Sequence, residues 1–121
     1  MRFLAAFDKF KDALGAGEVC GLARQTLEAC LPGSVVTEAP LSDGGEGFCE
    51  ILTKAAGGRF SSYVVSGPLG DPVEARIGYV LAANLSSKVR ELADISAEGE
   101  VAVVEMASAA GLEQIPFELR N

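Results

Sequence analysis

Apolar residues fill nearly every position from Arg2 to Phe7. Unbroken runs of this kind suit strands buried on both faces of a parallel sheet. A polar loop, Asp8 to Gly15, follows. Val19, Leu22, Ala23, Thr26, Leu27 and Cys30 then recur at helical spacing and predict one apolar helix face. Gly15 and Glu18 stand where a cap and its N3 partner belong, and Pro32-Gly33 ends the helix. A second strand is predicted over Ser34 to Ala39. A second helix begins at Phe48, with Phe48, Ile51, Leu52 and Ala55 facing inward and Gly57-Gly58 as its stop. Arg59 to Ser66 and Val73 to Ala82 read as two strands, joined by a turn through Gly67-Pro68-Leu69-Gly70-Asp71-Pro72. Asn84 to Leu92 is a short amphipathic helix candidate, and Ala93 to Glu100 a loop. Val101 to Val104 is a further buried strand, running into Glu105-Met106-Ala107-Ser108 and a small-residue helix start.

The order β-α-β-α-β-β-α-β defines an α/β class. The expected architecture is a largely parallel sheet with flanking helices, Rossmann- or flavodoxin-like in its first part. A β-hairpin and the start of a second α/β domain follow, with the division placed between residues 1–66 and 67–121.

The composition narrows the function classes. The net charge of -7 argues against a nucleic-acid surface, which needs clustered Lys and Arg. No apolar run approaches the roughly 18 residues that span a bilayer, and the charged Asp8-Lys9 follows the first strand too soon for a signal peptide. The chain reads as cytoplasmic. With no histidine, zinc sites and His-dependent triads are excluded, and Cys20, Cys30 and Cys49 show no C-x-x-C spacing. All three cysteines are expected as small buried hydrophobes. Gly15-x-Gly17-x-x-x-Gly21 is not a dinucleotide motif, because the loop from Asp8 to Leu14 separates it from its strand, and no Walker A sequence occurs.

The densest chemical signal is Ser42-Asp43-Gly44-Gly45-Glu46-Gly47, between a strand and a helix. Each glycine in a helix's first turn costs about 1 kcal/mol relative to alanine. Free amides at a helix N-terminus attract anions. Two carboxylates beside them favour a phosphate bridged by a hard cation such as Mg²⁺. Asp43 and Glu46 also have the spacing of a capping box, which needs no ligand. Asp8 and Lys11 follow strand one, and Glu105 and Ser108 follow the strand at Val101 to Val104. Open α/β sheets bind ligands beyond the carboxyl ends of their strands. Taken singly, Asp8 serves as well for a turn as for catalysis, and Lys11 reads first as a solvent-facing charge. Glu105 directly follows four apolar residues and needs a partner or a metal if buried.

At these residues the chain resembles the bacterial, ADP-forming glycerate kinase family. That family's A-P-D-S-F-K-x-S-L-S-A pattern is matched by Ala6 to Ala16, its V-x-D-G-G-E-G by Leu41 to Gly47, and its T-G-P-L-G-x-P-V by Ser66 to Val73. Its V-I-E-M-A-x-A-S-G-L is matched by Val103 to Leu112, and Arg120-Asn121 is similar to its R-N-P segment. Lys9, Ala13 and Gly15 stand where the first pattern has serines, and Leu81 to Glu100 looks like an added peripheral helical insert.

The resemblance implies ATP- and Mg²⁺-dependent phosphorylation of D-glycerate in a cleft between two α/β domains, with this chain as the N-terminal portion of a longer protein. The catalytic candidates are Asp8, Lys11 and Asp43. Ser42, Gly44, Gly45, Gly47 and Ser108 are expected to bind substrate or phosphate, and Glu46 and Glu105 a metal. An isolated chain is expected to be inactive. Two other readings stay open: a non-enzymatic anion- or nucleotide-binding module, and a structural piece that self-associates through an exposed apolar sheet edge.

Overall fold

The structure, a computed structural model, describes residues 1–10 and 13–120. Lys11, one of the catalytic candidates, lies outside the described residues. The α/β class holds, but the strands form two sheets. β1 (Arg2–Ala5) and β2 (Val35–Glu38) pair in parallel, from Arg2 beside Val35 to Ala5 beside Glu38. β3 (Arg59–Ser66), β4 (Pro72–Leu81) and β5 (Glu100–Val104) form an antiparallel sheet in that order. Among the described residues, parallel pairing is therefore confined to the first two strands, not spread over a larger sheet.

The turn between β3 and β4 accounts for part of the difference. Gly67 N–H donates to the Asp71 carbonyl at 2.8 Å, and Gly70, at φ +88°, sits in the left-handed region. So tight a connection permits only antiparallel pairing. β3 then pairs with β4 along its whole length, from Arg59–Tyr79 to Ser66–Pro72. β5 is half-buried, with alternating exposure that leaves Val104 outside, so its continuous apolar run does not mark a fully buried strand.

Helix α1 (Ala16–Cys30) covers the parallel pair. Its buried stripe is Ala16, Cys20, Ala23 and Leu27 against Phe3, Ala5 and Val36. The expected face is rotated, and Leu22 and Cys30 are exposed. Small side chains let the helix settle close to the strands, where the Cys20 thiol donates to the Ala5 carbonyl at 3.3 Å. Glu18 accepts from the Gly15 N–H at 2.9 Å, which is the half of a capping box that a glycine N-cap allows.

Helix α2 (Phe48–Ala55) lies on the antiparallel sheet. Thr53 is fully buried, pressed so closely on Gly78 of β4 that any Cβ there would overlap it. Beyond β4, a short 3-10 turn (Ala82–Asn84) and α3 (Ser87–Leu92) follow. Ser86 caps α3 through Val89 N–H at 3.2 Å, and none of its residues is buried. α4 (Ala107–Ala110) follows β5. Among the described residues no helix is long and apolar enough to cross a membrane.

Candidate functional site

The parallel ladder continues past the strand ends and sets the first two loops side by side. Ala39 N–H donates to the Ala5 carbonyl and Leu41 N–H to the Phe7 carbonyl, each at 2.8 Å. Asp8-Lys9 thus faces Ser42-Asp43. Lys9 Nζ bridges the gap, donating at 3.4 Å to both Asp43 Oδ1 and the Glu46 carbonyl. Asp8 Oδ1 accepts from the Lys9 N–H at 2.7 Å, so its carboxylate shapes its own turn.

Within the glycine loop the turn chemistry is mostly internal. Asp43 Oδ1 accepts from Gly45 N–H at 3.0 Å, and Ser42 Oγ accepts from Gly44 N–H at 3.2 Å. These are local side-chain turns of the kind Asp and Ser favour. The capping-box reading of Asp43 therefore fails, because its acceptor serves Gly45 and α2 starts only at Phe48. Gly44 and Gly47 stand at φ +96° and +87°, so the left-handed backbone itself calls for glycine at both. The expectation of free amides is not met at Gly44 and Gly45.

It is not met at the helix start either. Glu105, which is 8% exposed, reaches from the end of β5 and accepts the Cys49 N–H with Oε2 at 3.0 Å. Cys49 is the second residue of α2, where backbone N–H groups lack intrahelical partners and the dipole favours negative charge. A carboxylate of the chain itself thus takes up the N-terminal field of α2. The partner that a buried Glu105 requires is this amide. Ser108, the second residue of α4, donates from its Oγ to the Glu105 carbonyl at 2.7 Å.

Two cavities flank the loop. A larger one, about 1180 Å³, lies between the first loop, the α1 N-terminus and α2, and includes Lys9, Leu14, Glu18, Glu46, Gly47 and Ile51. A smaller one, about 280 Å³, brings Glu46 and Gly47 together with Glu105, Ser108 and Arg76. Glu46-Gly47 is a wall common to both. Asp8, Ser42, Asp43, Gly44 and Gly45 line neither cavity. The candidates fall into two groups: Asp8 and Asp43 meet through Lys9, and Glu46, Gly47, Glu105 and Ser108 meet at the smaller cavity.

Gly45 N–H, followed by the hydrogen bond and charge of Lys9, holds the Asp43 carboxyl below its ordinary 3.8. Partial burial works against the Lys9 ammonium, but Asp43 outweighs it, with Asp8 and Glu46 adding, and raises it above 10.5. Lys54, four residues along α2, holds Glu50 low against the opposing effect of its partial burial, with Arg76 also contributing. Among the described residues no three Asp, Glu, Cys or His side chains gather closely enough to hold a metal alone. Lys9 and the Cys49 amide are the participants that sequence reasoning missed. The isolated charge of Glu105 after an apolar run was the available signal for the second.

Fold and site together define an α/β protein whose acidic, glycine-rich loop sits at strand ends beside paired cavities. The chain belongs to the glycerate kinase family: that family's model matches residues 3–121. It is 35% identical to the glycerate kinase of Bacillus subtilis (strain 168) and 33% identical to the glycerate 2-kinase of Escherichia coli (strain K12). Each alignment spans 121 residues, the whole of this chain and 28% of the relative. A solved structure from Salmonella typhimurium LT2, described as glycerate kinase 2, is similar with a TM-score of 0.64 and 36% identity. That match covers all of this chain and 28% of the other. The chain thus spans a little over a quarter of the length of the relatives it matches.

Proposed function

We propose that the chain is the N-terminal part of a kinase that transfers the terminal phosphoryl group of ATP to a hydroxyl of D-glycerate, with Mg²⁺, in the cytoplasm. The observation that carries this reading is the shared Glu46-Gly47 wall, reached from β1 through Lys9 and from β5 through Glu105, in a chain of the glycerate kinase family. Phosphoryl transfer needs positioning and charge stabilisation more than covalent chemistry from the protein.

Mg²⁺ is usually held by one or two carboxylates, with water and phosphate oxygens completing its shell. Glu46 and Glu105 line one cavity and fit that modest requirement, although Glu105 already commits an oxygen to Cys49. These two would hold the ion. When bound, Mg-ATP supplies the phosphoryl group and offsets its charge. Asp43, ionised at neutral pH, is a weak proton acceptor, so its role is to orient the glycerate hydroxyl by accepting its hydrogen bond. Asp8 holds the first loop in shape, and Lys11 remains the candidate for countering phosphoryl charge. Ser108 and the backbone at Glu46-Gly47, which lines both cavities, are the proposed substrate contacts. The internal use of the Gly44 and Gly45 amides weighs against a simple anion-binding module.

The test is D-glycerate-dependent ADP release by the full protein that carries this chain. Turnover requiring both D-glycerate and Mg-ATP is expected, and residues 1–121 alone are expected to be inactive, having one wall of the cleft. Binding of Mg-ATP without turnover by the full protein would favour the non-enzymatic module.

A further inference from the structure

We propose that Lys9 is a positioning residue of this site: its ammonium draws the glycine loop onto the loop after β1 and offsets the loop's negative charge, easing entry of an anionic substrate to the Glu46-Gly47 wall. The inference rests on the function proposed above and goes beyond it, because Lys9 stands where the resembled family pattern has a serine.

An ordinary surface ion pair contributes little, and the Lys9–Asp43 distance of 3.4 Å is no shorter than such pairs usually are. Three observations separate Lys9 from that class. Its side chain is 22% exposed while that of Asp43 is 68% exposed, so the lysine is packed into the junction. It engages two acceptors in one loop, the Asp43 carboxylate and the Glu46 carbonyl, across more than thirty residues of sequence. It also lies 3.3 Å from where a Cβ on Gly45 would sit, so the loop closes tightly over the ammonium. Lys9 lines the larger cavity together with Glu46 and Gly47. Asp8, Asp43 and Glu46 all act on its charge. Glycerate and phosphate are anions, and Lys9 offsets the like charge that those three side chains present at this rim.

The experiment compares Lys9→Met, Lys9→Arg and wild type in the full protein that carries this chain. Two readouts are taken: KM and kcat for D-glycerate, and amide hydrogen exchange at Gly44 to Phe48. Lys9→Met should raise KM about fivefold or more with kcat within about twofold, and should speed exchange in the loop by a similar factor. Lys9→Arg should restore both. An unchanged KM or an unchanged exchange rate in Lys9→Met overturns the role, as does Lys9→Arg behaving like Lys9→Met. Should Lys9→Met fail to fold, Lys9→Gln is read by the same criteria. If wild type shows no glycerate-dependent turnover, the proposed function fails, and loop exchange alone then upholds or overturns the clamp.

Discussion

The two ends of the glycine loop are held in opposite ways. On the parallel-sheet side the tie is Lys9 to Asp43, partly solvated and at 3.4 Å. On the antiparallel side it is a buried Glu105 carboxylate on a helix amide at 3.0 Å. A charge-assisted bond sheltered from water is strong, and breaking it strands a buried group; the Lys9–Asp43 tie leaves its carboxylate largely in water, where the charge is screened. The loop is therefore anchored at α2 and adjustable at Asp43. Under the proposed function, that asymmetry keeps one wall of the site fixed while the rim adjusts to a substrate.

The largest effect should come from the packing behind the anchor. Gly78→Ala would drive a methyl into Thr53 and should cost at least about 1–3 kcal/mol in urea unfolding of the full protein. Pairing it with Thr53→Ala should recover part of the loss, and simple additivity would show that α2 does not press on β4 as described. Glu105→Ala comes next, at about 1–3 kcal/mol, because the Cys49 amide loses its acceptor. Glu105→Gln retains an acceptor and should lose less; equal losses for the two variants would contradict the capping role.

The smallest effect lies at the adjustable end and is read by pH. The Asp43 carboxyl is depressed, so its contribution is present above 3.8 and is lost as pH falls through the lower folded value. The Lys9 ammonium is raised, so its contribution is present below 10.5 and is lost as pH rises through the higher folded value. Carboxyl-carbon NMR of Asp43 should give a midpoint below 3.8. In Lys9→Met the midpoint should climb yet stay depressed, since the Gly45 N–H remains. A wild-type midpoint at or above 3.8 would remove the adjustable tie.

Periodicity and turn chemistry made much of the fold legible. The helix of residues 16–30, the hairpin at Gly67 to Pro72 and the strand of residues 59–66 follow from local residue choices that tertiary packing leaves in place. What escaped was partnership. Val101 to Val104 reads as a buried strand, but as an edge strand it leaves Val104 outside. The face of α1 turned because Cys20 is small enough to approach Ala5, a preference that a count of apolar spacings does not contain. Asp43 and Glu46 have capping spacing, yet the positive φ at Gly44 and Gly47 delays the helix to Phe48. Glu105 was correctly singled out as needing company, but an amide 56 positions away has no local signature.

Turnover of the full protein with Asp43→Asn is the most direct test of the claim that this loop orients glycerate for phosphorylation. The substitution keeps an acceptor for Gly45 while removing the charge that Lys9 holds and that the proposed role directs at the substrate hydroxyl. A fall in kcat of roughly 10²-fold is predicted, with folding intact by urea unfolding. Wild-type kcat and KM in that variant would contradict the account.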